Sequence, residues 1–456
     1  MGTAMNVTNN GVGAEINAAP IDLVSVRQRR PRRNPLVGAY VSLLMLMVVY
    51  CARPEDWIPG LAVVPLAKIA GVLVLFAFLF SIGQFRFSFP REVIYLLLLV
   101  GQLFLASMLS PVWRGGALMA TLEFAKVLLI VIVMALVLNT AKRLRRLIFI
   151  QAASVAVIAT VIVLKGRMLG NRLEGMLGAT YADPNDLALT IVISIPLCLA
   201  LLFLSKSWLR KAAWGLAIVV MLYAVFMTGS RGGFVSLLVT AGVFLWEFAI
   251  EERRRYLLVL AVLVGAILSI VSGGLLIGRL KGTFNQQEGT AAAYDSVRER
   301  QQLFWRSVEV SKAHPIFGVG PGNFKQLSGN WHVTHNSFTE MSSEGGIPAL
   351  ILQVLILWRG FKNLRGSKRL ARGRTGTSVL ARALHVSLAG YVFGSLFLSW
   401  AFLFLPYILV AYTAALFSIA RKSAIESRKN ESARQATVQK KLFASTPERE
   451  MAFRAV

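Results

Sequence analysis

The sequence predicts an all-α membrane protein that crosses the bilayer about twelve times. Of its 456 residues, 56% are hydrophobic and only 16% are charged, and the mean hydropathy is +0.62. Apolar runs of about 20 residues recur along the chain, and a helix of that length is needed to cross the hydrocarbon core of a membrane. The runs are continuous rather than alternating, which excludes a membrane β-barrel.

The bounds of the apolar runs divide the chain into spans and polar segments. The predicted spans cover residues 36–51, 61–82, 92–110, 118–139, 144–165, 185–205, 212–228, 232–249, 256–278, 346–364, 380–400 and 403–420. The predicted segments are a disordered basic tail (1–35), spans 1–9 (36–278), one long polar loop (279–345), spans 10–12 (346–420) and a second basic tail (421–456). The long loop is expected to contain helices, the first over about 295–313.

The basic residues predict the orientation of the chain. One set of loops falls entirely on the side of the basic N-terminal tail, and it holds these basic residues: Arg86 and Arg91; Lys142, Arg143, Arg145 and Arg146; Lys206, Arg210 and Lys211; Arg253, Arg254 and Arg255; and Lys362, Arg365, Lys368, Arg369, Arg372 and Arg374. The other side carries the segments at Arg53, from Lys165 to Asn185 and at Arg231, and the long loop. The positive-inside rule therefore predicts both termini in the cytoplasm and the long loop outside it. ATP is absent outside the cytoplasm. A substrate that donates a chemical group on that side therefore has to arrive already activated, on a lipid.

Composition argues against several other kinds of site. The net charge of +27 lies mostly in tails and short loops. That distribution is typical of contact with anionic membrane lipids rather than with nucleic acid. Cys51 and Cys198 lie in apolar runs, so we expect no disulfide framework, and no ligand cluster has metal-binding spacing, so we expect no metal and no cofactor. Lys68, Glu123 and Lys126 lie inside spans and are either functional or part of a stabilising i,i+3 pair.

Several predicted spans begin at the outer face and offer helix N-termini there. Arg231 lies beside glycines at the start of the eighth span, Asp183 is a predicted N-cap of the sixth span just before Asn185, and Gly345-Gly346 begins the tenth. Free N–H groups and the positive end of a helix dipole bind anions, so Arg231 is a predicted phosphate ligand. The alternative is that Arg231 only extends toward lipid headgroups.

The long loop supplies a second candidate cation. Arg300 shares a helical face with Val297, Phe304 and Val308. It either rests on the membrane surface as a structural residue or pairs with a phosphate through two parallel hydrogen bonds. The glycine-rich stretch 318–322 that follows is more typical of a tight turn than of a phosphate-binding loop.

His335 is a candidate general base. It is one of four histidines and lies next to the outer end of the tenth span. A neutral imidazole can take a proton from a sugar hydroxyl as that hydroxyl attacks. Asn336 and Glu344 are candidates to orient the ring.

Four motifs occur in a fixed order along the chain: Thr228–Phe234 (Thr-Gly-Ser-Arg-Gly-Gly-Phe), Arg300 ahead of Phe304-Trp305, the stretch His314–Phe324, and His335-Asn336 with Glu344-Gly-Gly downstream. In order and spacing they resemble the O-antigen ligase and polymerase family of bacterial membrane glycosyltransferases. The similarity is clearest over residues 180–365, and the twelve-span layout matches across the chain. The segments that begin at Arg53 and Ala182 resemble a branch found with exopolysaccharide or O-glycan assembly.

The resemblance implies a glycosyltransferase of the bacterial inner membrane whose active site faces the periplasm. The donor would be a glycan on undecaprenyl diphosphate, and the acceptor would be lipid A-core, a growing glycan or a protein. The implied site residues are the catalytic His335; the diphosphate ligands Arg231, Arg300 and, less closely tied to a motif, Arg172; and the supporting residues Asn336, Glu344, Asp183 and Asn185. Arginines and helix ends would neutralise the leaving diphosphate without a metal, and attack from the opposite side would invert the anomeric centre.

A transporter or flippase of lipid-linked glycans is the alternative, because many transporters also have twelve spans with both ends inside. Transporters built from two six-span halves usually carry their long loop between spans 6 and 7, on the cytoplasmic side. Here the long loop follows span 9, and the sequence has no corresponding half-repeat.

The orientation gives a first testable prediction. Reporters fused after Arg86, Arg146, Arg255 and Arg374 should report the cytoplasm, and reporters within residues 283–330 should report the periplasm, because every basic short loop falls on one side. Paired alkaline phosphatase and fluorescent-protein fusions measure this. A cytoplasmic signal from the 283–330 fusions would overturn the placement of the long loop.

Overall fold

The computed structural model describes residues 36–80, 89–169, 172–175, 183–267, 270, 291–329, 331–371 and 375–444. The predicted tail 1–35, the first part of the long loop (279–290) and the end of the ninth predicted span lie outside the described residues, as does the end of the second tail.

The described residues form fifteen helices and one hairpin. The helices are α1 (Val37–Ala52), α2 (Pro54–Trp57), α3 (Leu66–Leu79), α4 (Arg91–Met108), α5 (Arg114–Val137), α6 (Ala141–Lys165), α7 (Pro184–Leu204), α8 (Trp208–Met227), α9 (Arg231–Ile250), α10 (Tyr256–Ile267), α11 (Ala291–Ala313), α12 (Phe324–Leu327), α13 (Ser337–Leu370), α14 (Thr375–Gly394) and α15 (Phe404–Ala444). Strands β1 (Arg167–Leu169) and β2 (Arg172–Glu174) pair antiparallel between α6 and α7.

The helical membrane class is confirmed. Eight described helices are long and apolar enough to cross a membrane: α4 to α9, α13 and α15. Three shorter apolar helices, α1, α3 and α10, coincide with further predicted spans. Each of the twelve predicted spans falls on a helix, while the full count of twelve crossings and their orientation stay predictions.

Helix α7 is the centre of the bundle. Its most apolar window is 78% buried, the largest share among the eight candidate spans. It packs against α6, α8, α9 and α14. Because α7 is surrounded by other helices, its first residues lie next to the ends of the neighbouring helices. The polar side chains of the candidate site lie at this end of α7.

Charged side chains inside the bundle are paired. Glu247, near the end of α9, is 1% exposed and is contacted by three basic side chains of α13 and α14: Lys368, Arg382 and His385. A buried carboxylate is tolerated when such partners replace its water. The predicted alternatives for Glu123 and Lys126 are resolved in favour of an ion pair across one turn of α5.

The start of α13 corrects the sequence analysis. The tenth span was expected to begin at residue 346, but the helix begins at Ser337, where the Asn336 side chain accepts hydrogen bonds from the N–H groups of Phe338 and Thr339 at 2.9 and 3.1 Å. The helix is interrupted at Gly346, whose φ of 80° and ψ of 172° are not helical. The apolar run alone marks only the second part of this helix, because the first part is polar.

The interruption of α13 is filled by protein. The carbonyls of Ser343 and Glu344 accept hydrogen bonds from the N–H groups of Val319 and Gly320, both at 2.9 Å. The N–H of Ile347 donates to the carbonyl of Pro315 at 2.8 Å, and the Gln102 side chain donates to the carbonyl of Gly345 at 3.0 Å. The N–H of Ile347, which an anion-binding helix end at residues 345–346 would offer, is therefore used within the protein.

The glycine-rich stretch 318–322 is a tight turn, as expected. Gly318, Gly320 and Gly322 have φ angles of 64°, 91° and 78°. A Cβ on Gly318 would lie 2.5 Å from the backbone carbon of Glu344. The N–H of Gly320 donates to the Glu344 carbonyl and that of Gly322 to the Glu344 carboxylate. The N–H groups of Gly320 and Gly322 therefore bond to α13 and are not available to bind a phosphate.

Two helix ends differ from the ends of the predicted spans. Helix α14 ends at Gly394 rather than near residue 400, and residues 395–403 form an irregular loop. Hydropathy misses this end because the loop is itself apolar. Helix α15 continues to Ala444, past the predicted end at 420. Residues 421–444 contain neither glycine nor proline and are rich in Ala, Glu, Lys, Arg and Gln, so nothing in the sequence stops the helix.

Substitution of Gly346 tests the interruption of α13. We expect Gly346→Ala to destabilise the protein by at least about 1–3 kcal/mol, because only glycine adopts this backbone conformation without strain. In addition, the new Cβ would lie 2.2 Å from the carbonyl oxygen of Ile316. Thermal unfolding in detergent measures the effect. Gly101→Ala in α4 is the matched control, because its Cβ would meet nothing within 4 Å; equal melting temperatures for the two variants would contradict the prediction.

Candidate functional site

A cavity of about 400 Å³ lies at the end of the bundle where α7 and α9 begin. Its walls are the start of α9, the face of α11, the segment before α13 and the loop 395–403. It brings together Arg231, Arg300 and His335, three residues predicted from separate motifs. The other lining residues are Gly232, Val235, Val297, Gln301, Phe304, Trp305, Thr334, Asn336, Leu396 and Phe397. We call this the arginine–histidine cavity.

Arg231 is the first residue of α9. Ser230 caps the helix, its hydroxyl accepting from the N–H of Gly233 at 3.1 Å. The glycines after Arg231 allow close packing within the protein, because a Cβ on Gly232 would lie 2.9 Å from Phe397 and one on Gly233 would lie 2.5 Å from Ala188. The helix end and the Arg231 side chain still meet at the cavity.

Arg172 lies behind this helix end rather than among the residues that line the cavity. Its Nε donates to the carbonyl of Thr228 at 2.9 Å, and its Nη2 donates to Asn185 Oδ1 at 3.4 Å. The same Asn185 oxygen accepts from the Ser230 hydroxyl at 2.8 Å. Arg172 and Asn185 therefore hold the turn that carries Arg231. These hydrogen bonds give Arg172 a structural contact, whereas the sequence analysis predicts that it binds the diphosphate.

Asp183 is the N-cap of α7, as expected, with Pro184 in the first turn. Its carboxylate accepts from the backbone N–H and the side-chain amide of Asn185 at 2.6 and 2.9 Å. Asp183 thus fixes Asn185, and through Asn185 it reaches the same turn. Its charge also acts on Arg300, since Asp183 counts among the carboxylates that raise the pKa of that arginine.

Arg300 projects from α11 into the arginine–histidine cavity. Burial is the largest influence on its pKa and lowers it, while Asp183, Glu299 and Asp186 act in the opposite direction. Among the described residues, the hydrogen bonds and ion pairs include none from the Arg300 guanidinium. A half-buried guanidinium with its donors directed at a cavity has the geometry that binds a carboxylate or phosphate.

His335 has a strained backbone. Its φ of 53° lies in the left-handed region, which few residues other than glycine occupy. The conformation is held from the loop 395–403: the Ser399 hydroxyl accepts the N–H of His335 at 2.9 Å and lies 3.1 Å from the Thr334 hydroxyl. Backbone strain that is maintained by several hydrogen bonds is frequent at functional sites.

The surroundings of His335 keep its ring neutral. Burial, the largest cause, and the Arg300 guanidinium together lower the pKa of His335 to about 4, against the opposing effect of Asp183. A neutral imidazole is able to accept a proton at neutral pH. Burial is a larger cause of this shift than the positive charge of Arg300.

Asn336 and Glu344 act on the backbone rather than on the imidazole. Asn336 uses its oxygen to cap α13 and its amide to donate to the carbonyl of Leu396 at 3.2 Å. The Glu344 carboxylate accepts from the N–H groups of Gly322 and Phe324 at 2.7 and 3.2 Å. The expectation that one of them orients the His335 ring is not supported by any hydrogen bond of the described residues; they hold the segments on either side of it.

Sequence reasoning missed the loop 395–403. Besides Ser399, this loop supplies the carbonyl of Ser395 to the N–H of Ser337 at 2.8 Å and the N–H of Ala401 to the Glu340 carboxylate at 3.1 Å. Trp400 Nε1 donates to Asp186 at 2.8 Å. The sequence feature that could have indicated this loop is the pair Ser399 and Trp400 at the outer end of the predicted span. The residues before them are apolar, so a hydropathy pattern includes them in the span.

Two of the remaining histidines lie apart from the cavity. His332 Nε2 is 3.4 Å from Glu299, and both side chains are exposed. His385 contacts Glu247 in the bundle. Within the described ranges, no group of three or more His, Cys, Asp or Glu residues is arranged to hold a metal ion.

The fold and the cavity define a polytopic helical membrane protein with a basic, histidine-containing cavity at one end of its bundle. Residues 216–354, from α8 into α13, match the family described as O-antigen ligase. The matched range contains Arg231, Arg300 and His335, and it confirms the resemblance to O-antigen ligases that the motifs indicate. No protein with a curated description matches the chain.

The ionisation of His335 can be measured directly. Its carbethoxylation by diethyl pyrocarbonate, which attacks neutral imidazole, should persist down to a midpoint near its pKa of about 4. In Arg300→Gln the midpoint should move to higher pH, because a repelling positive charge is removed. Mass spectrometry quantifies each histidine separately, and the exposed His332 reports reagent behaviour in the same sample. A His335 midpoint that does not respond to Arg300→Gln would contradict this account.

Proposed function

We propose that this chain is a membrane glycosyltransferase of the O-antigen ligase type. It transfers a glycan en bloc from a lipid-linked diphosphate, in bacteria undecaprenyl diphosphate, to a hydroxyl of an acceptor. The observation that carries the proposal is the meeting of Arg231, Arg300 and His335 in one cavity, inside the range that matches the O-antigen ligase family.

The two arginines are suited to the leaving group. When the bond between the sugar and the diphosphate breaks, negative charge develops on the diphosphate. Arg300 presents a guanidinium without a carboxylate partner among the described residues, and Arg231 stands at the first position of a helix, whose N–H groups and dipole also favour an anion. Held charges of this kind stabilise the leaving diphosphate without requiring a metal.

His335 is suited to the acceptor. In the proposed step the neutral imidazole takes the proton of the acceptor hydroxyl, the hydroxyl oxygen bonds to the anomeric carbon, and the bond from that carbon to the diphosphate oxygen breaks. The electron pair leaves with the diphosphate, and attack from the opposite side inverts the anomeric centre. The lowered pKa of His335 leaves the ring unprotonated throughout the neutral range, so a ring nitrogen is available to the acceptor hydroxyl.

Hydrophobic side chains next to the arginines are suited to a lipid carrier. Phe304, Trp305, Leu396 and Phe397 line the same cavity, and the Trp305 side chain is 63% exposed. A polyprenyl chain in the membrane can pass along such a surface while its diphosphate reaches the guanidinium groups. We place the cavity on the periplasmic face of the inner membrane, on the distribution of basic residues in the short loops. Lipid A-core, a growing glycan and a protein hydroxyl are the acceptor classes.

The proposal is tested with purified protein in detergent, a lipid-diphosphate-linked glycan and an acceptor. His335→Ala should reduce transfer by a factor of about 10²–10⁴, the usual cost of losing a general base, while donor binding is retained. Arg300→Ala should weaken donor binding as well, and Arg300→Lys should restore it poorly because an ammonium does not reproduce the bidentate pairing.

The matched controls are His332→Ala and Arg298→Ala, exposed residues of the same segments outside the cavity. Full transfer by His335→Ala would remove the general base, and loss of wild-type activity in chelator would reveal a metal requirement. Detergent solution has no compartments, so transfer of glycan there cannot arise from transport; wild-type protein that moves lipid-linked glycan across vesicles yet transfers none would support the flippase alternative and overturn the proposal.

A further inference from the structure

A second cavity, of about 510 Å³, lies at the opposite end of the bundle, where α6, α8 and α14 begin. That end is identified by Arg145 at the start of α6, which donates to the carbonyl of Leu204 at the end of α7. Four basic side chains line the cavity: Lys142, Arg145, Arg146 and Arg210. We call it the basic cavity.

Three helix N-termini converge on the basic cavity. Helix α6 contributes Ala141 and Lys142 from its first turn, α8 contributes Arg210, and α14 contributes Gly376 and Thr377. Each helix start carries partial positive charge, which acidic side chains in the first turn usually balance. None of the three helices has an acidic residue in its first turn. Positive side chains therefore accumulate where the backbone is already positive.

No carboxylate of the described residues offsets this charge. The ion pairs among them include none that involves the four basic side chains of the cavity. Arg145 donates to a backbone carbonyl, that of Leu204. All four side chains are exposed, so water screens part of their mutual repulsion, and a bound anion reduces that repulsion further.

The rest of the wall is apolar. Phe149 and Trp214 meet edge to face with ring centroids 5.6 Å apart, and Leu201, Leu380 and Leu416 complete the lining. Phe149 is 49% exposed on the outer surface of an apolar helix. An anion that fits this cavity therefore carries a hydrocarbon portion beside its charge, which a free phosphate does not.

We propose that the basic cavity binds the phosphate of an anionic membrane phospholipid, with an acyl chain lying along Phe149 and Trp214. Basic pockets between transmembrane helices are suited to phospholipid headgroups. Basic residues that only set the orientation of the chain need no cavity, no shared helix N-termini and no aromatic wall. The site lies away from the arginine–histidine cavity and holds a structural lipid rather than a substrate.

Native mass spectrometry of the full chain in detergent tests the proposal, with phosphatidylglycerol or phosphatidylcholine added. The variant K142Q/R145Q/R210Q removes three charges from the cavity. The control K362Q/R365Q/R369Q removes the same number and kinds of charge from the exposed face of α13 near the same end. Phosphatidylglycerol binding should weaken by a factor on the order of 10 or more in the cavity variant and stay unchanged in the control.

Three outcomes would overturn the proposal. Equal weakening in both variants would mean that the charges act only as a diffuse surface, and equal binding of the two lipids by wild-type protein would mean that no anion is recognised. Displacement of the lipid by an equal concentration of inorganic pyrophosphate would mean that the apolar wall contributes nothing.

A photoactivatable phosphatidylglycerol provides a measurement that needs no variant: its crosslinks should map to α6, α8 and α14 around the cavity, and crosslinks confined to other helices would contradict the site.

Discussion

The interruption of α13 at Gly346 is the constraint on which the arginine–histidine cavity depends. The Ser343 carbonyl loses its helical donor because the Ile347 N–H bonds to Pro315, and the Glu344 carbonyl has none because Pro348 has no N–H, so both carbonyls need outside donors. The turn after α11 provides them, and the Glu344 carboxylate in turn accepts N–H groups of that turn. The loop that follows α11 is therefore bonded to a membrane helix rather than only resting on it, and α11 is brought over the bundle with Arg300 facing inward.

The same principle of shared backbone hydrogen bonds places His335. The segment before α13 has no regular structure of its own, and it is positioned by the loop 395–403, through Ser399 to the His335 N–H and through Ser395 to the N–H of Ser337. On the far wall, Asp183 and Asn185 hold the turn before Arg231. The backbone next to Arg231 and next to His335 is thus held by hydrogen bonds between protein groups. The substrates of the proposed reaction do not need to contact the residues that form these bonds.

The sequence predicted the helical membrane class and the three candidate residues that meet in the cavity; each predicted span falls on a helix, and the count of twelve crossings stays a prediction. These follow from hydropathy, from helix-start chemistry at Asp183 and Arg231, and from motif order. It did not predict the break in α13 or the end of α14, because both are decided by tertiary hydrogen bonds rather than by local preference. It did not predict the hydrogen bonds that Arg172, Asn336 and Glu344 make to the backbone, for a related reason: a polar residue near a site can bond to the backbone as readily as to a ligand, and the choice depends on which N–H and C=O groups lack partners in the fold. Their predicted roles at the site stay predictions.

The left-handed backbone at His335 narrows which residue can stand there. Of the side chains that accept protons, only histidine and aspartate occur with any frequency in this conformation. An aspartate beside Arg300 would form an ion pair with it and compete with the anion that the guanidinium is free to bind. Histidine meets both demands, since it tolerates the backbone and carries no charge of its own at neutral pH. Two independent requirements therefore restrict the residue at position 335: the left-handed backbone conformation and the absence of a negative charge beside Arg300.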